Sequence, residues 1–162
     1  MKVYKNFLDI EDFNKIKKVF LNSDFPWFYN SQITTHTKLL GDFQFTHTLY
    51  VDNLTQSNYF DLLKPVIDKI NCLSIVRIKA NLLTKTDSNI DYGFHTDYHD
   101  DRITTGILYI NTNNGYTKFK DGNLEKSEEN KYVEFNSSVP HSGSSCTDEN
   151  IRVVINFNYI KC

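Results

Sequence analysis

His95 and Asp97 stand two residues apart in Phe94-His95-Thr96-Asp97. On an extended chain, residues two apart share a face, so an imidazole and a carboxylate can be offered to one ion while Thr96 turns away. Alone, His-x-Asp is a common pattern. His141 follows in Val139-Pro140-His141-Ser142-Gly143, 44 residues after Asp97, and Arg152 lies 11 residues further on. Arg152 heads the apolar run Val153-Val154-Ile155-Asn156-Phe157. A buried strand that opens on a lone Arg calls for an anionic partner, because an unpaired buried guanidinium is costly. Two imidazoles and one carboxylate on a rigid scaffold leave three positions open on one face of an octahedral ion, the donor set suited to a non-haem Fe(II).

The elements that must hold these residues are mostly strands. Leu73–Leu83, Tyr92–Asp97, Ile103–Asn111, Tyr116–Lys120, Tyr132–Phe135 and Arg152–Ile160 read as strands, and Leu39–Val51 adds one or two more. Turn signals fall between them at Asn113-Asn114-Gly115, Asp121-Gly122-Asn123 and Ser142-Gly143-Ser144. Two segments read as helices. From Ile10, apolar residues recur at Phe13, Ile16, Val19 and Phe20, with Asp9 placed to cap. The second runs from about Ser57 to Ile70, and Pro65 either kinks it or marks the first turn of a separate helix. Ala80 is the only alanine, whereas Asn, Thr, Tyr, Phe and Ile abound, which favours strands joined by polar turns.

The expected fold is therefore mainly β with N-terminal helices, one domain over residues 1–162, with helical support at 1–70 and a β core at about 73–160. The length fits a single domain. A net charge of -2 points to neither a nucleic-acid surface nor a polybasic membrane patch. The odd number of cysteines, Cys72, Cys146 and Cys162, forms no CxxC pair and suits a reducing compartment. Neither an apolar leader core nor an apolar run of bilayer length is present, so a cytoplasmic location is expected.

In its order of residues (His-x-Asp, a distant His, then an Arg) the stretch from Arg77 to Ile160 resembles the 2-oxoglutarate/Fe(II)-dependent dioxygenase superfamily. It is most similar to the prolyl 4-hydroxylase-like branch, whose small single-domain members also occur in viral genomes. The resemblance implies a double-stranded β-helix, a distorted jelly roll braced by two or three helices. It implies that His95, Asp97 and His141 bind Fe(II), and that Arg152 pairs with the distal carboxylate of 2-oxoglutarate. By the same resemblance, Tyr109, in Arg102-Ile103-Thr104-Thr105-Gly106-Ile107-Leu108-Tyr109, donates its hydroxyl to that carboxylate, although a core aromatic is the competing reading. Gly115 to Phe119 resembles the family's "GG-x-L-x-F" turn and strand with one glycine of the two. Arg77-Ile78-Lys79-Ala80-Asn81-Leu82 lacks the tyrosine that often helps hold the co-substrate, and Asn81 is the candidate to replace it.

The implied cofactors are Fe(II), 2-oxoglutarate as co-substrate and O₂, with ascorbate a further candidate. The implied reaction is hydroxylation of a prolyl residue in a peptide or protein, releasing succinate and CO₂. A free amino acid or other small molecule is the alternative substrate, and a non-catalytic jelly-roll module binding a metal or partner is the alternative function. No nucleic-acid or membrane partner is expected, and the chain is expected to be a monomer or weak homodimer. The run Asp97–Asp101 would favour a basic substrate if it faced one; a solvated loop is the plainer reading, and His99 belongs to it. His36 and His47 lack partners at ligand spacing, Cys146 reads as a buried or loop thiol, and Trp27 either packs over the core or lines the site's entrance.

Overall fold

In the computed structural model, residues 1–33 and 42–162 are described. Along the chain come β1 (Lys2–Tyr4), α1 (Ile10–Phe20), β2 (Phe28–Asn30), β3 (Gln44–Val51), β4 (Leu54–Thr55) and α2 (Lys64–Ile70). They are followed by β5 (Cys72–Thr84), β6 (Ile103–Tyr109), β7 (Tyr116–Phe119), β8 (Leu124–Lys126), β9 (Lys131–Asn136), β10 (His141–Gly143) and β11 (Ile151–Lys161).

α1 begins where the Asp9 carboxylate accepts the Glu11 N–H at 2.9 Å, with Glu11 and Asp12 in the first turn and Lys17 and Lys18 in the last. Phe13, Ile16 and Phe20 form its buried stripe, each contributing about 1.5–3 kcal/mol by burial. The second helical segment divides as its proline requires. A 3-10 turn at Phe60–Leu63 leads into α2, where Pro65 sits in the first turn and its missing N–H breaks no helical bond. Asn71 ends the helix in the left-handed region at φ 46°.

The strands make two antiparallel sheets. The larger has the order β1-β9-β6-β11-β5-β3-β2, with β4 on β3, and the smaller the order β10-β7-β8. Strand alternation sorts the side chains of the large sheet. On β11, Val153, Ile155, Phe157 and Tyr159 join α1 and α2 in the main core, as do Ile78, Ala80 and Leu82 of β5. Between the sheets, Ile107, Tyr109, Phe119, Val133, Phe135 and Val154 form a smaller apolar cluster. The residues alternate to the core set on β5 and β11 also face this inner space, and many are polar: Arg77, Lys79 and Asn81 on one strand, Arg152, Asn156 and Asn158 on the other. Two facing antiparallel sheets with helices covering the larger one are the double-stranded β-helix expected.

Some boundaries differ. Tyr92–Asp97 is not a strand; strand-type backbone pairing there is confined to isolated bridges at Asp91–Ser144 and His95–His141. Ser142-Gly143 is not a turn but the end of β10, paired with β7. The first 70 residues supply four strands besides their helices, because the short β1, β2 and β4 carry too few residues to show alternation. Leu39 to Gly41 and His36 lie outside the described residues, and the strand read there runs from Gln44 to Val51. No helix among the described residues is long and apolar enough to cross a membrane.

Candidate metal and anion site

His95 and His141 are brought together by a backbone bridge. The His95 N–H donates to the His141 carbonyl at 2.9 Å, and the His141 N–H returns the bond to His95 at 2.9 Å. The two rings lie with centroids 4.5 Å apart. Asp97 enters two residues later, and the ligand atoms of His95, Asp97 and His141 all fall within 4.8 Å of one another. Among the described residues this is the one cluster of three or more His, Cys, Asp or Glu side chains that converges in this way.

Asp97 and His141 are each held by neighbours. His141 donates from Nδ1 to the Val139 carbonyl at 3.0 Å, which leaves the Nε2 lone pair free to ligate. Asp97 accepts from Thr105 Oγ1 at 2.8 Å, from Asn158 Nδ2 at 3.0 Å and from Arg77 Nη2 at 3.2 Å. Arg77 is itself steadied by donating from Nε to Asn158 Oδ1 at 3.0 Å and by lying over the Tyr98 ring. His95 is different: among the described residues its buried Nδ1 makes no regular hydrogen bond, with only the Gly93 backbone near the ring. A buried imidazole nitrogen left unpaired is an unfavourable arrangement that a bound metal ion would relieve. The donor set of two imidazoles and one carboxylate matches that of Fe(II) in a facial triad.

Electrostatics keep His95 and Asp97 in ligating forms. Burial, then the proximity of His141, lowers the His95 pKa to about 4 against a weaker pull from Asp97, so its ring is neutral near pH 7. Burial works against the Asp97 carboxylate, but His141, Arg77, Asn158 and Thr105 together outweigh it and hold its pKa below the ordinary carboxylate value. The His95 shift has a consequence for the metal-free protein. Its folded pKa lies below the unfolded one, so between pH 6.5 and pH 4 the unfolded chain binds the extra proton and stability falls as pH falls. From pH 7 to pH 5 this group alone is expected to cost about 2 kcal/mol. Urea unfolding of the apoprotein at both pH values should show that loss, and His95→Gln should remove it.

Arg152 lies at the other end of the same cavity, which encloses about 90 Å³ and is also lined by all three candidate ligands, Thr117, Lys79, Asn81 and Asn156. Its side chain is buried, donating from Nε to Ser127 Oγ at 2.8 Å and from Nη2 to Thr117 Oγ1 at 3.3 Å. Among the described residues no carboxylate pairs with it. Burial therefore lowers its pKa, against weaker opposing effects of Tyr109, Cys146 and Tyr92, yet a guanidinium keeps its charge. Gly115 gives it room: a Cβ there would stand 2.6 Å from Arg152 Cδ and 2.8 Å from both Asn113 Oδ1 and the Ser145 carbonyl. That close approach is a physical reason for the single glycine of the turn.

The remaining candidates divide. Tyr109 is fully buried, and its hydroxyl donates to Thr117 Oγ1 at 2.8 Å, while Arg152 lies 5.7 Å from its ring centroid. Burial raises its pKa to about 12, so the hydroxyl remains a donor. It is thus one bond removed from the guanidinium and does not line the cavity. Asn81 does line it, with its amide directed to the Lys79 carbonyl at 3.4 Å. His99 is exposed beside Thr96. His47 is committed to the Pro26 carbonyl and Ser57 Oγ, both at 2.7 Å. Cys146 is a free, buried thiol donating to the Glu149 carbonyl, and Trp27 packs on the main core. Sequence reasoning missed Arg77, Thr105 and Asn158 as supports of Asp97, and Thr117 and Ser127 as supports of Arg152. For the strand residues the available signal was polar side chains recurring at every second position in otherwise apolar strands.

Compared with protein-family models the chain matches none, and a search of the curated proteins finds no match. Its structure does resemble solved ones. A prolyl hydroxylase from Trichoplax adhaerens, in complex with a hypoxia inducible factor oxygen degradation domain peptide fragment, superposes with a TM-score of 0.66 at 14% identity, covering 99% of this chain and 83% of that one. An oxidoreductase of the 2OG-Fe(II) oxygenase family from Burkholderia pseudomallei gives 0.64 at 15% identity, over 96% and 82%. A prolyl-4-hydroxylase from Pseudomonas putida gives 0.62 at 13% identity, over 99% and 92%. At such identities the likeness is one of fold, and it spans nearly the whole chain.

Proposed function

We propose that this chain is a 2-oxoglutarate-dependent Fe(II) oxygenase that hydroxylates its substrate and releases succinate and CO₂. The observation that carries the reading is the pairing, in one cavity, of a convergent His95–Asp97–His141 cluster with a buried guanidinium that has no carboxylate partner among the described residues. A jelly-roll module that only held a metal would have no use for Arg152 in that place. The fold shared with 2OG-Fe(II) oxygenases and prolyl hydroxylases adds to it.

His95, Asp97 and His141 would hold the iron, which, with 2-oxoglutarate and O₂, supplies the oxidising power for inserting oxygen into a C–H bond. The protein's own share is positioning and exclusion of water. Thr105, Asn158 and Arg77 fix the carboxylate, and the Val139 carbonyl fixes the His141 tautomer. Arg152 would receive the distal carboxylate of 2-oxoglutarate as a charge-assisted pair, steadied by Ser127 and Thr117. Ile107, Leu83 and Val154 supply apolar wall around it. A prolyl residue in a peptide or protein is the substrate that the resemblance favours, and a free amino acid or other small molecule is the alternative.

The test is succinate formation from 2-oxoglutarate by purified protein, with and without added Fe(II). Turnover that requires iron and stops on chelation supports the reading; iron-independent turnover, or none by iron-loaded folded protein with any candidate substrate, contradicts it.

A further inference from the structure

On the inner face of β5, Arg77 is occupied by Asp97 and Asn158, but Lys79, two residues on, is not occupied at all. Among the described residues its ammonium has neither an ion pair nor a hydrogen bond, although the side chain is half-buried and lines the cavity beside the triad. Directly across the sheet, in register on β11, stands Asn156. Asn156 also lines the cavity, and its buried Oδ1 has no donor among the described residues. A cation lacking an acceptor thus neighbours a carbonyl lacking a donor, each a desolvated group that gains by being filled.

The charges point the same way. Among the described residues the cavity wall carries one anion, Asp97, which Arg77 already neutralises, and two cations, Arg152 and Lys79. In the proposed function the co-substrate's distal carboxylate would answer Arg152 and its other carboxylate the iron, which leaves Lys79 for a further anion. The acids that could have drawn a basic substrate are otherwise engaged: Asp100 pairs with Arg102 at 2.7 Å, and Asp101 accepts from Ser138 at 2.7 Å. Neither lines the cavity. Burial and the nearby Arg77 bring the Lys79 pKa down to about 8, opposed by Asp97, so the ammonium still predominates at neutral pH.

We infer that Lys79 and Asn156 are the substrate-recognition pair, and that they take an α-amino acid with its carboxylate free, Lys79 binding the carboxylate and Asn156 Oδ1 accepting the adjacent N–H. This rests on the oxygenase reading and narrows its substrate. An internal residue of a protein has no carboxylate, and an internal proline has no N–H either, whereas a free amino acid, proline included, and a C-terminal residue other than proline have both.

The test uses the protein loaded anaerobically with Fe(II) and 2-oxoglutarate, titrated with free L-amino acids, their primary amides, the matched deamino acids and glycyl dipeptides. Binding is read from changes in the visible charge-transfer band, and succinate release is followed in air. The best acid should bind at least about tenfold more tightly than its amide. Lys79→Met should erase that preference while retaining the 2-oxoglutarate band, and Asn156→Leu should weaken the amino acid but not its deamino analogue. The dipeptides decide between a free amino acid and a chain terminus. Amides binding as well as acids, or a preference that survives Lys79→Met, would overturn the inference. So would loss of 2-oxoglutarate affinity in Lys79→Met, which would give the ammonium to the co-substrate, or an intact band with no binder at about 10 mM. A wild-type protein with no band at all would instead strike at the oxygenase reading itself.

Discussion

Asp97→Ala is expected to abolish iron-dependent turnover and to weaken Fe(II) binding well beyond the roughly 10–100-fold that loss of an outer supporting partner causes. The reason is charge as much as geometry: Asp97 is the only anion among the three candidate ligands, and its carboxylate is nearly buried. The substitution also strands its supports. Thr105 Oγ1 loses its acceptor, Asn158 Nδ2 keeps only Thr105 Oγ1, and the Arg77 guanidinium loses its counter-charge. Arg77 is partly exposed and keeps its bond to Asn158, so the cost to the apoprotein should be about 2–3 kcal/mol rather than that of a fully buried broken pair. Anaerobic metal titration and urea unfolding measure the two effects separately. Asp97→Asn, which preserves an acceptor oxygen, should recover much of the stability and little of the metal affinity. If Asp97→Ala bound Fe(II) like the wild type, the metal would lie elsewhere.

Arg152→Gln should have the opposite signature. Fe(II) binding should persist, because Arg152 contacts none of the three ligands, while 2-oxoglutarate affinity should fall by about 2–5 kcal/mol, roughly 30-fold to several thousand-fold. The apoprotein should not be weakened in proportion, and a small gain is expected. Among the described residues the buried wild-type guanidinium has only Ser127 and Thr117 as side-chain acceptors and no opposite charge, and removing such a charge relieves a desolvation penalty. Arg152→Lys should fall between, since an ammonium cannot make the two parallel bonds of a guanidinium fork. Thermal unfolding with and without 2-oxoglutarate tests this in one series: the ligand should stabilise the wild type and leave Arg152→Gln unmoved. A variant that loses stability without losing affinity would make Arg152 a structural residue.

How much of this was legible in the sequence depends on the element. The long strands were, because Val153, Ile155, Phe157 and Tyr159 alternate over a length that few other structures allow. α1 was, through its cap and its buried stripe. The short pieces were not. Two or three residues, as in β4 or β10, carry no period, and His141–Gly143 has the composition of a turn. The triad was readable from residue types and order, but not the way it is assembled. His95 and His141 meet through a two-bond backbone bridge between segments 46 residues apart, and no strand carries His95 and Asp97. The polar faces of β5 and β11 were the least legible part. Alternating polar residues normally mean solvent, and only the smaller sheet lying across them turns that face into a cavity. Lys79, Asn156 and Asn158 were therefore unremarkable until the partner sheet was in place.

The central claim is that one cavity holds an iron and a chelating 2-oxo acid together. Anaerobic apoprotein titrated with Fe(II) and then with 2-oxoglutarate, followed by visible absorption, tests it most directly. A charge-transfer band that needs both additions, disappears in His141→Ala and requires far more 2-oxoglutarate in Arg152→Gln is the expected result. Folded protein that binds the metal yet develops no band on adding 2-oxoglutarate would contradict the claim.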